Sequence, residues 1–270
     1  MDIKKVLFIS QEIAPYLPES PMSVLGRDLP QSIQEKGYEV RTFMPKYGTI
    51  NERRNQLHEV IRLSGMNIII DDTDHPLIIK VATLLPSRMQ VYFIDNDDYF
   101  QRHGSNGLEI ATRPHENDER AMFFVRGVVE TVKKLRWEPA FIHCQGWISA
   151  LTPLYLKRMY AEDPSFRSSK IVYSLLDDKF DGTLDSRMAK KLSMDGFSAD
   201  DLKSLAATDA PDYKALSKLA IDFADGIAQG AENVDPELLE YAKASGKPFL
   251  PLTEAGEDRA AAFAGFYESL

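Results

Sequence analysis

Side chains able to do chemistry gather in four places along the chain. His143-Cys144-Gln145-Gly146-Trp147 sets an imidazole, a thiol and an indole at the end of an apolar run, 140–144. Asp177-Asp178, with Asp181 and Asp185 close behind, is an acidic cluster that follows a second apolar run, 170–176. Carboxylates at a strand's carboxyl end can hold a cation or accept from a sugar hydroxyl, and the same residues also suit a solvated loop. Asp71-Asp72-Thr73-Asp74-His75 has the residue types of metal ligands, set against the strong turn preference of aspartate. Near the start, Glu12 and Tyr16 follow the run Lys5-Val6-Leu7-Phe8-Ile9-Ser10 and would face a cleft there, unless Tyr16 packs against its own loop. Bland alternatives hold elsewhere: His143 as a satisfied structural histidine, Trp147 as core or cap packing. No Gly-x-Gly-x-x-Gly or P-loop pattern occurs.

Composition narrows the classes. Hydrophobic residues make up 44 % and charged residues 27 % of 270, ordinary for a globular protein with a sizeable core. The net charge of −9 without a basic cluster disfavours nucleic acid, while a neutral polysaccharide or a protein partner stays compatible. The single Cys144 excludes an intramolecular disulfide and a cysteine-built zinc site, and suits a reducing compartment. No run approaches the roughly 20 apolar residues that span a bilayer, and the first residues lack a signal peptide's apolar core. A cytoplasmic protein with no membrane partner is the expectation.

The elements that must position these residues are legible in the hydrophobic pattern. Lys5–Ser10 reads as a strand buried on both faces of a parallel sheet. A proline-rich loop (12–21), a helix (about 22–36) stopped by Gly37 and a strand at 39–45 complete the opening of a doubly wound α/β domain, with a site expected in the loop after the first strand. Four strand candidates follow in close succession at 58–63, 66–71, 78–85 and 89–95, with turns at 64–65, 72–76 and 86–87. They have no helices between them and predict an antiparallel meander. Asp95, Asp97 and Asp98 are expected to cap a short helix at 99–102. Residues 117–134 form an amphipathic helix with Asp118 and Glu119 in its first turn and Lys133 and Lys134 in its last. A buried strand at 140–144, a helix opening at Gln145-Gly146-Trp147 and running to about 160, and a strand at 170–176 come next. Residues 177–211 are polar, with short helices expected at 186–192 and 199–205. Then follow a helix (212–224), a strand (227–229), a helix (235–244) and a turn into 249–252. Ala260, Phe263, Tyr267 and Leu270 make one apolar stripe at the end.

Several of these runs carry a family resemblance. Val6-Leu7-Phe8-Ile9-Ser10-Gln11-Glu12-Ile13-Ala14-Pro15-Tyr16, Gly37-Tyr38-Glu39-Val40-Arg41 and Met44-Pro45-Lys46-Tyr47-Gly48 resemble the start of bacterial glycogen synthases and plant starch synthases. The resemblance implies a two-lobed GT-B fold and retaining transfer of glucose from ADP-glucose to an α-1,4-glucan. It extends over residues 4–225, and the remainder is expected to close the first lobe, not to build the second, ADP-holding lobe. Three family features are altered. Where the family has Lys-Thr-Gly-Gly-Leu-Ala-Asp, whose lysine and glycine backbone line the phosphates, this chain has Pro18-Glu19-Ser20-Pro21-Met22-Ser23-Val24. Two prolines remove two donors, and Glu19 would repel a diphosphate. The family's His-Cys-His-Asp-Trp is His143-Cys144-Gln145-Gly146-Trp147, and Leu176 stands where a sugar-contacting histidine is implied.

The sequence therefore predicts one α/β, doubly wound Rossmann-like domain over 1–270, resembling the N-terminal half of a GT-B glycosyltransferase with an added antiparallel meander, and 235–270 as a closing segment. The expected function is a non-catalytic glycogen synthase-like protein that binds α-1,4-glucan, an oligosaccharide or a protein of glycogen metabolism. The alternatives are a glucosyltransferase subunit completed by another chain and a protein-docking regulatory module. Glu12, Tyr16, His143, Gln145, Trp147, Asp177 and Asp181 are the candidate glucan contacts. No catalytic residue, metal or cofactor is assigned.

Overall fold

The computed structural model describes residues 3–101, 113–253 and 257–270. Its strands are β1 (Lys5–Ser10), β2 (Glu39–Pro45), β3 (His58–Glu59), β4 (Met66–Ile70), β5 (Thr73–Leu84), β6 (Met89–Asp95), β7 (Phe141–Gln145), β8 (Lys170–Leu175), β9 (Gly226–Gln229) and β10 (Phe249–Leu250). Its α-helices are α1 (Pro21–Glu35), α2 (Asn117–Lys134), α3 (Thr152–Lys157), α4 (Met188–Met194), α5 (Lys203–Ala206), α6 (Tyr213–Phe223), α7 (Pro236–Ala244) and α8 (Arg259–Ser269).

All but one strand lie in the order β10-β9-β8-β7-β1-β2-β6-β5-β3, with β4 paired to β5 off that path. Apolar runs buried on both faces make the parallel centre: β1 lies between β2 and β7, parallel to each. The chain winds outward from β1 in both directions, so the switch point of this doubly wound sheet lies between β1 and β7. β5 runs antiparallel to β6, β3 and β4, which is the expected meander. Helices cover both faces. Phe8 pairs in register through Thr42 to Val91 and faces α8, whereas Ile94 points to the opposite face and meets Gly127 of α2.

Local chemistry moves several boundaries. The turn expected at 72–76 is only Asp71-Asp72, both in the left-handed region at φ 47° and 64°, and Thr73 already belongs to β5. Two such residues match the twist of a hairpin, and aspartate tolerates that region. The strand expected at 58–63 shrinks to His58–Glu59, because Leu63 and Ser64 donate back to the Val60 carbonyl and turn the chain. The helix expected from Gln145 starts late: Gly146 sits at φ 90°, Trp147–Ser149 is a single 3₁₀ turn, and α3 covers only Thr152–Lys157. The short helix after β6 is a π-turn, Asp97–Gln101, capped by Asn96, whose side chain accepts from the N–H groups of Asp98 and Tyr99. Asp95 instead accepts from Gln101 and pairs with Lys80. Arg102, expected in that helix, lies outside the described residues. The two short helices of the polar region fall at Met188–Met194 and Lys203–Ala206.

The closing helix α8 covers a face of the sheet, not an edge. Phe263 packs on His143 with ring centroids 5.0 Å apart, and Tyr267 stacks on Phe141 at 5.3 Å. Gly226 of β9 lies beneath it, where an added Cβ would come within 2.8 Å of Phe266. Lys36–Asp258 and Tyr38–Glu268 join its two ends to the start of the chain. Phe263 is 2 % exposed. Truncating it in Phe263→Ala should cost about 3–5 kcal/mol, seen as a lower denaturant midpoint with an unchanged slope.

Candidate functional site

A cleft of about 820 Å³ opens at the carboxyl ends of β1, β8 and β9. One side is α1, which presents Met22, Leu25 and Leu29 at three- and four-residue spacing. The other side is built from Gly230 to Asn233 after β9, and from Leu252, Thr253 and the first turn of α8. Leu176 forms part of the floor and packs so closely on Gly230 that a Cβ there would lie 2.6 Å from Leu176 Cδ2. The loop between β1 and α1 is pressed equally hard onto its helix: a Cβ on Gly26 would meet the Glu12 carbonyl oxygen at 2.2 Å.

The N-terminus of α1 faces this cleft, and Ser20 and Ser23 engage each other there. Ser20 is the N-cap and Pro21 follows it without an N–H. Ser20 Oγ accepts from the Ser23 N–H at 3.0 Å, and Ser23 Oγ accepts from the Ser20 N–H at 2.8 Å. This reciprocal cap consumes two of the backbone N–H groups that an anion would otherwise use. Sequence reading found the lost glycines and lysine but not the cap, although a serine three residues after a serine was its signal. Ser20 Oγ also donates to Glu12 at 3.3 Å, which places a carboxylate of the protein itself beside the helix terminus.

Of the seven sequence candidates, Glu12 and Asp177 line the cleft. Glu12 is only 6 % exposed, and burial raises its pKa, opposed by the Ser20 hydrogen bond. Asp181 is exposed and lies off the cleft. The other four belong to the core and do not reach it. Tyr16 packs edge-on against Phe93 at 4.9 Å. Trp147 is buried edge-on against Phe180, and its backbone N–H donates to Asp178. Gln145 accepts from Ser10 Oγ at 2.7 Å. His143 sits fully buried between Phe8 and Phe263, one ring nitrogen 2.6 Å from Tyr267 Oη and the other 2.6 Å from Ser174 Oγ. Strand alternation explains the miss: His143 is the middle residue of β7, so its ring stands on a sheet face instead of at the strand end.

Asp178 belongs to the site more than its exposed neighbour suggested. It lines the cleft while accepting from Tyr213 Oη and the Trp147 N–H, and burial pushes its pKa up to about 7. The remaining carboxylates of the cleft wall include Asp28, which pairs with Arg27, and Glu232. Lys179 and Arg259 are the cations among the described lining residues.

A second acidic group lies outside the cleft. Asp118, Glu119 and Asp185 bring ligand atoms within 4.8 Å of one another, a spacing that suits a cation. The ammonium of Lys191 provides it, 2.8 Å from Asp118, 2.6 Å from Glu119 and 2.8 Å from Asp185. This cluster ties α4 to the start of α2, and no periodicity in the sequence pointed to it. The Asp71–His75 group is likewise spent structurally: Asp71 pairs with Arg187, and His75 contacts Tyr99 Oη at 3.0 Å.

Comparison with known proteins fits this geometry. The family model described as starch synthase catalytic domain matches residues 5–246. The chain belongs to the starch synthase catalytic domain family. A glycogen synthase of Pelodictyon phaeoclathratiforme is 38 % identical over 193 residues, 70 % of this chain and 39 % of that protein. One from Chlorobium chlorochromatii is 40 % identical over 172 residues, 63 % of this chain and 35 % of that one. The chain thus spans about two fifths of the length of the curated relatives it matches. The catalytic domain of starch synthase IV from Arabidopsis thaliana, solved bound to ADP and acarbose, superposes with a TM-score of 0.71. That match covers 94 % of this chain and 52 % of the plant chain at 18 % identity, and it shows the shared GT-B fold. Among the described residues of this starch synthase-like lobe, no helix is long and apolar enough to cross a membrane.

Two measurements check the lobe's buried titratable groups. Lys191→Met would leave Asp118 buried without its cation and should cost about 3–5 kcal/mol in a denaturant titration. Burial lowers the pKa of His143 to about 3, below its ordinary 6.5, so the folded lobe binds fewer protons than the unfolded chain between those values. Stability from this group is therefore lost as pH falls from 6.5 towards 3. The raised pKa of Asp178 works oppositely, costing stability as pH rises from about 4 to 7. His143→Gln should flatten the acid loss relative to the parent chain, and an unchanged difference between pH 6.5 and 4.5 would refute that assignment.

Proposed function

We propose that this family member acts by binding and does not transfer glucose from ADP-glucose in this lobe. The observation that carries the reading is the corner at the start of α1. Glycosyl transfer needs groups that stabilise charge on the departing diphosphate. Here Pro21 has no N–H, and Ser20 and Ser23 engage each other. A complementary lobe from another chain would not restore those donors, which argues against the subunit reading.

Two ligand classes stay compatible with the cleft. An α-1,4-glucan is supported by family membership and by the similar plant domain bound to acarbose. Glu12 and Asp177 would then accept from its hydroxyls. A protein partner is favoured by the lack of an aromatic ring among the described lining residues for a pyranose to stack on. Calorimetric titration with ADP-glucose and, separately, with maltoheptaose tests the reading. The expected result is no saturable heat with ADP-glucose. Tight, saturable ADP-glucose binding would overturn it.

A further inference from the structure

Among the described residues three aspartates are buried. Asp95 meets the ammonium of Lys80 and Asp118 that of Lys191, whereas Asp178 makes no ion pair. Its two oxygens take one neutral donor each. Oδ1 accepts from Tyr213 Oη of α6, and Oδ2 accepts from the Trp147 N–H just after β7. Nearby charges give it no relief. Asp177 beside it is a carboxylate, and Tyr173 and Tyr213 are phenols. Glu12, Asp28, Glu232 and Glu257 are the acids of the remaining cleft lining, and the cations Lys179 and Arg259 line it without pairing to Asp178. A buried carboxylate without countercharge is costly to ionise.

The neutral carboxyl has a hydrogen-bonding solution at hand. A proton on Oδ1 is donated to Tyr213 Oη, and the phenol's own proton turns to Ser217 Oγ, one helical turn along α6. Ser217 is fully buried beside Tyr213, and its hydroxyl has no hydrogen-bond partner among the described residues.

This carboxyl stands at the start of residues 177–184, which follow β8 and contribute Asp177, Asp178 and Lys179 to one wall of the cleft. Asp178 fastens that segment at one end, and the Leu184 N–H donates to the Pro211 carbonyl at the other. Between them Phe180 is lodged edge-on against Trp147 and Tyr213, with ring centroids 5.3 and 5.7 Å away.

We infer that Asp178 is a proton-gated latch on this wall of the cleft: neutral, it holds residues 177–184 closed, and ionised, it lets them open locally. Burial pushes its pKa up to about 7, and opening into water returns the group towards its ordinary 3.8. The closed segment therefore holds the proton more tightly than the open one, and closure weakens as pH rises from about 4 to 7. The latch does not depend on which ligand the cleft takes, so ADP-glucose binding would defeat the binding reading and leave this one standing.

The test is amide hydrogen exchange of the intact chain by NMR at pH 5 and pH 8, expressed as protection factors. The Trp147 and Leu184 amides report the segment, and the amides of β1 report global unfolding. Protection at Trp147 and Leu184 should lie below that of β1 and fall at least tenfold from pH 5 to pH 8. Asp178→Asn, which cannot ionise, should remove that fall. Tyr213→Phe, which takes one donor from the ionised carboxylate, should lower protection further at pH 8. Protection equal to that of β1, no fall between the two pH values, or the same fall in Asp178→Asn would each overturn the latch. The carboxyl ¹³C shift of Asp178 provides a check that needs no variant: an Asp178 already ionised at pH 5 would overturn it as well.

Discussion

Much of this architecture depends on keeping one imidazole neutral and satisfied in the middle of the sheet. His143 is surrounded by Phe8 and Phe263, where no water can serve its two nitrogens, so two hydroxyls must. Ser174 comes from the neighbouring strand and is there by register. Tyr267 comes from more than a hundred residues away, and its hydroxyl reaches the ring only if α8 lies flat on the sheet. Residues leading into that helix form one wall of the cleft. The shape of the candidate site is thereby inherited from a core contact that has no part in its chemistry.

Charges elsewhere in the molecule are carefully matched. Lys191 sits among three carboxylates, and Lys46 and Lys80 share Glu52, with Lys80 also meeting Asp95. Against that background the unpaired carboxylates of the cleft are a local property, not a reflection of the chain's net charge of −9. Glu12, Asp177, Asp178 and Glu232 outnumber Lys179 and Arg259 among its described lining residues.

The sheet was largely readable in advance. β1, β2 and β6 fall on the expected residues, since runs such as Val6-Leu7-Phe8-Ile9 have one physical solution, burial on both faces. The acidic first turn, Asp118 and Glu119, and the basic last turn, Lys133 and Lys134, likewise placed α2 at both ends. Resemblance located the cleft but misjudged which side chains enter it. Tyr16 and Trp147 are large enough to be wanted by the core, and proximity along the chain to a strand end says nothing about which way a ring turns. The far wall, supplied by Glu232, Leu252 and Arg259, was illegible because only the completed sheet brings those positions opposite α1.

The reciprocal serine cap on α1 has a thermodynamic consequence. A helix whose first turn is closed by its own side chains does not need a ligand to order it, and Gly26 lets the preceding loop lie against that helix with almost no clearance. The conformational entropy of this segment is therefore already lost in the free protein. Whatever enters the cleft meets a preformed surface, and its association is governed by desolvation of the lining instead of by loop closure. Such recognition carries a negative heat-capacity change set by the apolar area covered, with little of the entropy penalty that accompanies coupled folding.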